Sequence, residues 1–208
     1  MTDLPLVYMV AHGDTAWSAA NRYVGMTDLP LIQSGEDAAK AMKGRLGRLS
    51  FAGVFSSPLQ RALRTCELAG FGEVAHIDSD LREWNYGEFE GRTEAEIHVE
   101  SPDWQLFRHG CPRGESPEQV ADRADEVITR LRSINEHVLL FSSIHFVRAL
   151  AIRWVGLGLS TNAKRFMLNS ASISTVGYDG SLSRPVIMLW NDTQHGNGAM
   201  QRTRLRSA

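Results

Sequence analysis

Apolar residues along this chain fall into short continuous runs separated by stretches with helical spacing. Leu4 to Val10 is such a run, ending at Ala11-His12-Gly13, and it predicts a buried strand opening into a loop. Ser34 to Leu49 predicts a helix with Ala38, Ala41, Met42, Arg45 and Leu46 on one face. Val54-Phe55 predicts a short buried strand, followed at once by a helix start. There Ser57 is the N-cap, Pro58 the first helical residue and Gln60 the capping-box partner. Ser116, Pro117 and Gln119 repeat the arrangement and open a helix to about Ile134, with Val120, Ala124, Val127, Ile128 and Leu131 as its buried stripe. Val138 to Phe141 predicts another buried strand, Phe146 to Gly156 a helix, and Ser172 to Tyr178 and Val186 to Trp190 two late strands.

Strands alternating with helices indicate a single α/β domain, with a mostly parallel mixed sheet covered by helices on both faces. No repeat or long linker divides residues 1–195, and the segment 196–208, poor in apolar residues, reads as a disordered tail. Ligands in such folds sit beyond the carboxyl ends of the strands. Two loops predicted to follow buried strands carry histidine: His12 after the first and His145 after the strand at 138–141.

Composition narrows the partners. A formal charge of −2 argues against a surface that coats nucleic acid or a polybasic membrane anchor. The cations are almost all arginine, lysine standing only at 40, 43 and 164; arginine suits bidentate oxyanion contacts, although codon bias is the plainer explanation of the count. Cys66 and Cys111 lack metal-ligand spacing and read as ordinary thiols of a reduced cytoplasmic protein. No apolar segment has the length of a signal peptide or a membrane span. The expectation is a soluble cytoplasmic protein with a small-molecule ligand and no nucleic-acid or membrane partner; a homo-oligomer remains compatible with the sequence.

Taken alone, His12 is a histidine at a strand end beside a glycine. Three features give it company. Arg61 lies in the first turns of a helix, where dipole and guanidinium can both face an anion. Glu83 lies in the aromatic, glycine-containing segment Leu81 to Gly87, and His145 follows a buried strand.

At these residues the chain resembles the histidine phosphatase superfamily, in its phosphoglycerate-mutase-like branch, over roughly residues 4–192. The motifs that carry the resemblance are Ala11 to Thr15, Gly25 to Leu31, Ser57 to Thr65, Leu81 to Gly91 and Gly114-Glu115-Ser116. The resemblance implies a phosphomonoesterase acting on a small phosphorylated metabolite, a sugar phosphate or bisphosphate, without metal or other cofactor. It makes His12 the nucleophile that becomes phosphohistidine, Arg61 the clamp on the non-bridging oxygens and Glu83 the general acid, then base. Gly13, Thr15, Ser18 and Ser143 fall at phosphate-binding positions.

Two positions depart from the pattern. The arginine that usually precedes the nucleophile is Ala11. Around Phe141 to Arg148 the expected second histidine is Ser143 and the expected glycine is Ile144. If that segment is extended, Ser143 and His145 face one side and His145 partly replaces the missing imidazole as a catalytic group. Ala11 and Ile144 together would make the phosphate end less cationic and more apolar, as in an engineered chain or one drifting towards binding. The alternatives are therefore a binder of phosphorylated ligands with little turnover and a phosphoglycerate-type mutase. A metallohydrolase is a further alternative that no ligand spacing supports.

Overall fold

The structure is a computed structural model that describes residues 4–195, so the tail expected at 196–208 lies outside it. Six strands form one sheet: β1 (Val7–Ala11), β2 (Gly53–Ser56), β3 (Ala75–Ile77), β4 (Val138–Ser142), β5 (Ile173–Tyr178) and β6 (Pro185–Asp192). Their spatial order is β3-β2-β4-β1-β5-β6, with the first four parallel and β5 and β6 antiparallel. The mixed, mostly parallel sheet expected from the alternation is present. Every residue of β4 is buried, as its unbroken run Val-Leu-Leu-Phe-Ser requires of a strand covered on both faces.

Among the described residues eight α-helices accompany the sheet: α1 (Ala16–Ala19), α2 (Gln33–Leu46), α3 (Gln60–Leu68), α4 (Glu94–Glu100), α5 (Leu106–His109), α6 (Pro117–Ser133), α7 (Ile144–Trp154) and α8 (Leu159–Asn162). Alternation along the strands divides the core into two layers. Val10, Leu139 and Phe141 pack with Met42 and Leu46 of α2 and Cys66 of α3. Met9, Ala11, Val138 and Leu140 face the other way, with the stripes of α6 and α7 and the aromatic residues of 81–111.

Helix starts show how local chemistry sets the boundaries. At α6 the capping box is as expected: Ser116 accepts from Gln119 N at 3.3 Å, and the Gln119 side chain accepts from Ser116 N at 2.8 Å. At α3 the expectation fails. The helix begins at Gln60, and its N-cap Leu59 has no capping side chain. The cap comes from elsewhere, since Asp28 Oδ1 accepts from Gln60 N at 2.8 Å and Gln60 Nε2 donates to Asp28 O at 2.6 Å. The helix expected from Phe146 begins two residues earlier, at Ile144, which places His145 in its first turn and not in a loop.

Segment 85–115 folds as a 3-10 turn at Gly87–Phe89 followed by α4 and α5. Edge-to-face pairs hold it on the core, among them Phe89 with Trp104 at 5.0 Å and Trp84 with Phe107 at 5.1 Å. Among the described residues no helix is long and apolar enough to cross a membrane.

Candidate active site

The carboxyl ends of β1, β2 and β4 bring the motif residues together. The backbone of His12 is pinned on both sides of β1: its N–H donates to Ser142 O at 3.0 Å and its carbonyl accepts from Ala171 N at 2.9 Å. The ring is fixed as well. Nδ1 lies 2.7 Å from Gly13 O, an atom that can only accept, so Nδ1 carries the hydrogen and Nε2 the lone pair. Arg61 Nε donates to that Nε2 at 3.1 Å. Burial, and then the Arg61 charge, push the His12 pKa down to about 3, so the imidazole is neutral at any ordinary pH.

Arg61, the second residue of α3, is completely buried. Its remaining donors reach Thr27 O at 3.1 Å, Val24 O at 3.0 Å and Gly25 O at 2.7 Å. Loop 24–27 therefore holds the guanidinium over His12. Thr65, one helical turn on, accepts from Gly13 N at 3.0 Å and donates to Arg61 O at 2.7 Å, locking the His12–Gly13 loop to α3. A glycine is required at 13 for a steric reason: a Cβ there would stand 2.4 Å from Gly35 O in the first turn of α2.

Glu83 is buried at the head of α7. Its carboxylate accepts from three backbone N–H groups: Trp84 at 2.8 Å, Phe146 at 2.9 Å and His145 at 3.0 Å. It is thus the N-terminal cap of α7, delivered from another segment. Burial pushes its pKa up against the opposing pull of those N–H groups and of Arg61, as a proton donor near neutral pH requires. Ser142 Oγ donates to Leu81 O at 2.6 Å and ties the Glu83 segment to β4. Arg123 of α6 clasps the same segment, reaching the Asp80 and Arg82 carbonyls at 2.8 Å and both Glu115 oxygens at 3.0 Å. Sequence reasoning missed Arg123; Glu115, within a quoted motif, was the available signal.

The remaining expected residues divide. Gly13 holds the loop, with its N–H engaged by Thr65 and its carbonyl by His12. Thr15 and Ser18 form the capping box of α1, and Ser18 Oγ also donates to Asp14 Oδ1 at 3.1 Å, so these hydroxyls shape the loop through each other. Ser143 is buried beside the nucleophile strand, with its hydroxyl unpartnered among the described residues. His145 differs from expectation. Because α7 starts at Ile144, the segment is not extended, and no hydrogen bond joins His145 to His12 among the described residues. Its ring lies against Tyr23 (5.8 Å between centroids), Phe107 (5.8 Å) and Tyr86 (5.9 Å), and Nδ1 shares a 2.6 Å hydrogen bond with Tyr86 Oη. Burial holds this imidazole neutral. Ile144 is also reassigned. It is helical, is absent from the left-handed residues and packs against the α6–α7 core layer, so glycine-only dihedrals are not needed there.

The superfamily model described as histidine phosphatase superfamily (branch 1) matches residues 7–193. The chain belongs to that superfamily. An acid phosphatase of Mycobacterium tuberculosis is 38% identical over 184 residues, covering 86% of this chain and 90% of the relative. A sedoheptulose 1,7-bisphosphatase of Saccharomyces cerevisiae is 31% identical over 188 residues, covering 74% and 69% respectively. A solved structure of a Mycobacterium tuberculosis open reading frame superposes with a TM-score of 0.85 at 36% identity, over 90% of this chain and 97% of that one. The chain is thus a histidine phosphatase of the phosphoglycerate-mutase-like kind. A buried neutral imidazole facing an arginine is a suitable nucleophile for phosphoryl transfer.

Proposed function

We propose that this histidine phosphatase hydrolyses monoesters of small phosphorylated metabolites, sugar phosphates and bisphosphates among them, through a phosphohistidine on Nε2 of His12. The lone pair of Nε2 attacks phosphorus, and the ester oxygen leaves with the proton of Glu83. The Glu83 carboxylate then takes a proton from water, whose oxygen breaks the P–N bond to release inorganic phosphate and restore His12. Arg61 draws the charge that gathers on the non-bridging oxygens. One observation carries this reading: the tautomer fixed by Gly13 O, which directs the Nε2 lone pair at Arg61. The sugar bisphosphatase among the relatives supports the substrate class.

The experiment is hydrolysis of an aryl phosphate beside His12→Ala, with trapping of an acid-labile phosphoenzyme. Turnover lost in the variant and a label on His12 are expected. Equal rates in the two proteins would remove the reading.

The proposal includes a reduced turnover. Position 11 contributes a buried methyl, and its N–H is engaged by Ser172 O at 3.1 Å, so it offers no donor to phosphate. A missing donor of this kind lowers the rate by about 10²–10³. Ala11→Arg is expected to raise kcat/KM on the aryl phosphate; a folded variant with no gain removes this part of the proposal.

A further inference from the structure

The junction of β4 and α7 holds two donors that nothing in the described structure uses. Ala11 pairs with Ser142 across parallel β1 and β4, so His12 and Ser143 are the next neighbours, roughly 5 Å apart. Val10 and Phe141, two residues back on each strand, share the α2–α3 core layer, and alternation sends His12 and Ser143 to that same side. Ser143 is extended (φ −113°, ψ 162°), fully buried and the N-cap residue of an eleven-residue helix, yet its hydroxyl does not cap the helix and has no partner among the described residues. The Ile144 N–H likewise has no acceptor among the described residues. The next two N–H groups of the helix are taken by Glu83. A buried hydroxyl left unpaired is costly, so a free one beside a nucleophile points to a ligand atom.

These two donors are neutral, and positive charge is scarce around them. Arg61 is the one cation that hydrogen-bonds His12 among the described residues, and the Asp28 and Glu90 carboxylates of the loop and helix start around it act on it. On the α7 side, Arg148 is turned to the aromatic wall, its guanidinium over Phe107 at 4.7 Å and its Nη2 on Ala163 O at 2.6 Å. His145 beside it is held neutral by burial. A doubly charged phosphoryl group would therefore meet one guanidinium against the Asp28 and Glu90 carboxylates.

We propose that the pocket takes the phosphoryl group in its singly charged form, with the Ser143 hydroxyl and the Ile144 N–H as neutral donors to its oxygens. The inference rests on the phosphomonoesterase reading above and adds the charge state of the substrate and the residue that selects it. In the first step a singly charged monoester keeps one P–OH. That proton remains on the transferred group, while Glu83 protonates the leaving oxygen as before.

The test uses the intact chain and two inhibitors with a phosphorus–carbon bond. Benzylphosphonate passes from one negative charge to two as pH rises, whereas benzyl(methyl)phosphinate, which has two P–C bonds and no ester oxygen to leave, carries one throughout. Between pH 6 and 9 the inhibition constant of benzylphosphonate, measured on aryl phosphate hydrolysis, is expected to climb towards a tenfold rise per pH unit above its second ionisation. That of benzyl(methyl)phosphinate stays level. A level constant for benzylphosphonate means that the dianion binds, and the idea falls. A parallel rise for both means that a protein group is titrating, and the idea falls equally. Ser143→Ala, nearly isosteric, is expected to weaken both inhibitors about tenfold or more without lowering the thermal unfolding midpoint, since it removes an unpaired hydroxyl; unchanged inhibition would remove Ser143 from the site. Absence of aryl phosphate hydrolysis in the parent chain would instead count against the enzymatic reading itself, which keeps the two failures apart.

Discussion

Arg61 donates its Nε–H to His12 Nε2 at 3.1 Å, so the guanidinium rests on the lone pair that the proposed reaction requires. Arg61 thereby covers the proposed nucleophile, and an arriving phosphoryl group is expected to take over that donor. Arg61→Lys keeps the charge but loses the fork that also holds the Val24, Gly25 and Thr27 carbonyls. A fall in kcat of about 10²–10³ is expected. Full activity in a folded Arg61→Lys enzyme would show that charge alone suffices.

The two buried ionisable groups set opposite pH limits. His12, with its pKa pushed down to about 3, remains an unprotonated nucleophile through acid conditions. Glu83, with its pKa raised by burial, keeps its proton to higher pH than an exposed carboxyl does. The rate profile should therefore hold up in acid and fall on the alkaline side as Glu83 ionises. An acid limb centred between pH 6 and 7 in kcat/KM would contradict the assignment of His12.

Stability follows from the same groups with the sign worked out. The folded pKa of His12 lies below its unfolded value, so its contribution is present above the unfolded pKa of roughly 6.5 and is lost as pH falls towards 3. His145 acts in the same direction. Glu83, raised in the folded state, acts oppositely and withdraws stability as pH rises through its folded pKa. Urea midpoints should therefore drop below about pH 6.5, and less steeply in His145→Gln. An equal slope in the variant would exclude His145 as a contributor.

Thr65 is the joint between nucleophile loop and clamp helix, accepting from Gly13 N and donating to Arg61 O. Thr65→Val preserves shape but leaves the Gly13 N–H buried without a partner, at a cost of about 1–3 kcal/mol. Because Gly13 O fixes the His12 tautomer, kcat should fall beyond what reduced stability accounts for. Thermal unfolding and kcat measured below the transition separate the two effects.

Much of this molecule was legible in the order of its residues, for physical reasons that differ by element. The unbroken run Val138 to Phe141 and the stripe Val120, Ala124, Val127, Ile128 and Leu131 are buried as the pattern requires, because burial on both sides or on one stripe leaves a periodic trace. The approach of His12, Arg61 and Glu83 to one another was legible only through motif resemblance, since three separate strand ends bring them together. Contacts between segments leave no local trace. The capping of α7 by Glu83 instead of Ser143, and the turn of Arg148 into the aromatic wall, are of this kind. Sequence assigned Ile144 to the phosphate end because it stands where the family has a glycine, whereas the structure makes it the first residue of α7, packed against the α6–α7 core layer.

Asp28 shows the consequence most directly. Local chemistry placed the cap of α3 at Ser57, whereas the structure supplies it from a loop 32 residues earlier, through Asp28 Oδ1 on Gln60 N. Gln60 immediately precedes Arg61, so this cap fixes the first turn from which the clamp projects. The Asp28 carboxylate also lies at the positive end of α3. Asp28→Ala removes both effects and should cost about 1 kcal/mol of stability, the usual value of an N-cap. Its kinetic effect should be larger than that loss implies, because a frayed first turn lets Arg61 drift from His12 Nε2. Asp28→Asn retains an acceptor oxygen and is expected to recover most of the kcat while remaining slightly less stable. Unfolding midpoints and kcat of the two variants on one aryl phosphate decide the matter. If Asp28→Ala loses stability with kcat intact, the cap supports only the helix, and the position of Arg61 is set by the Val24, Gly25 and Thr27 carbonyls alone.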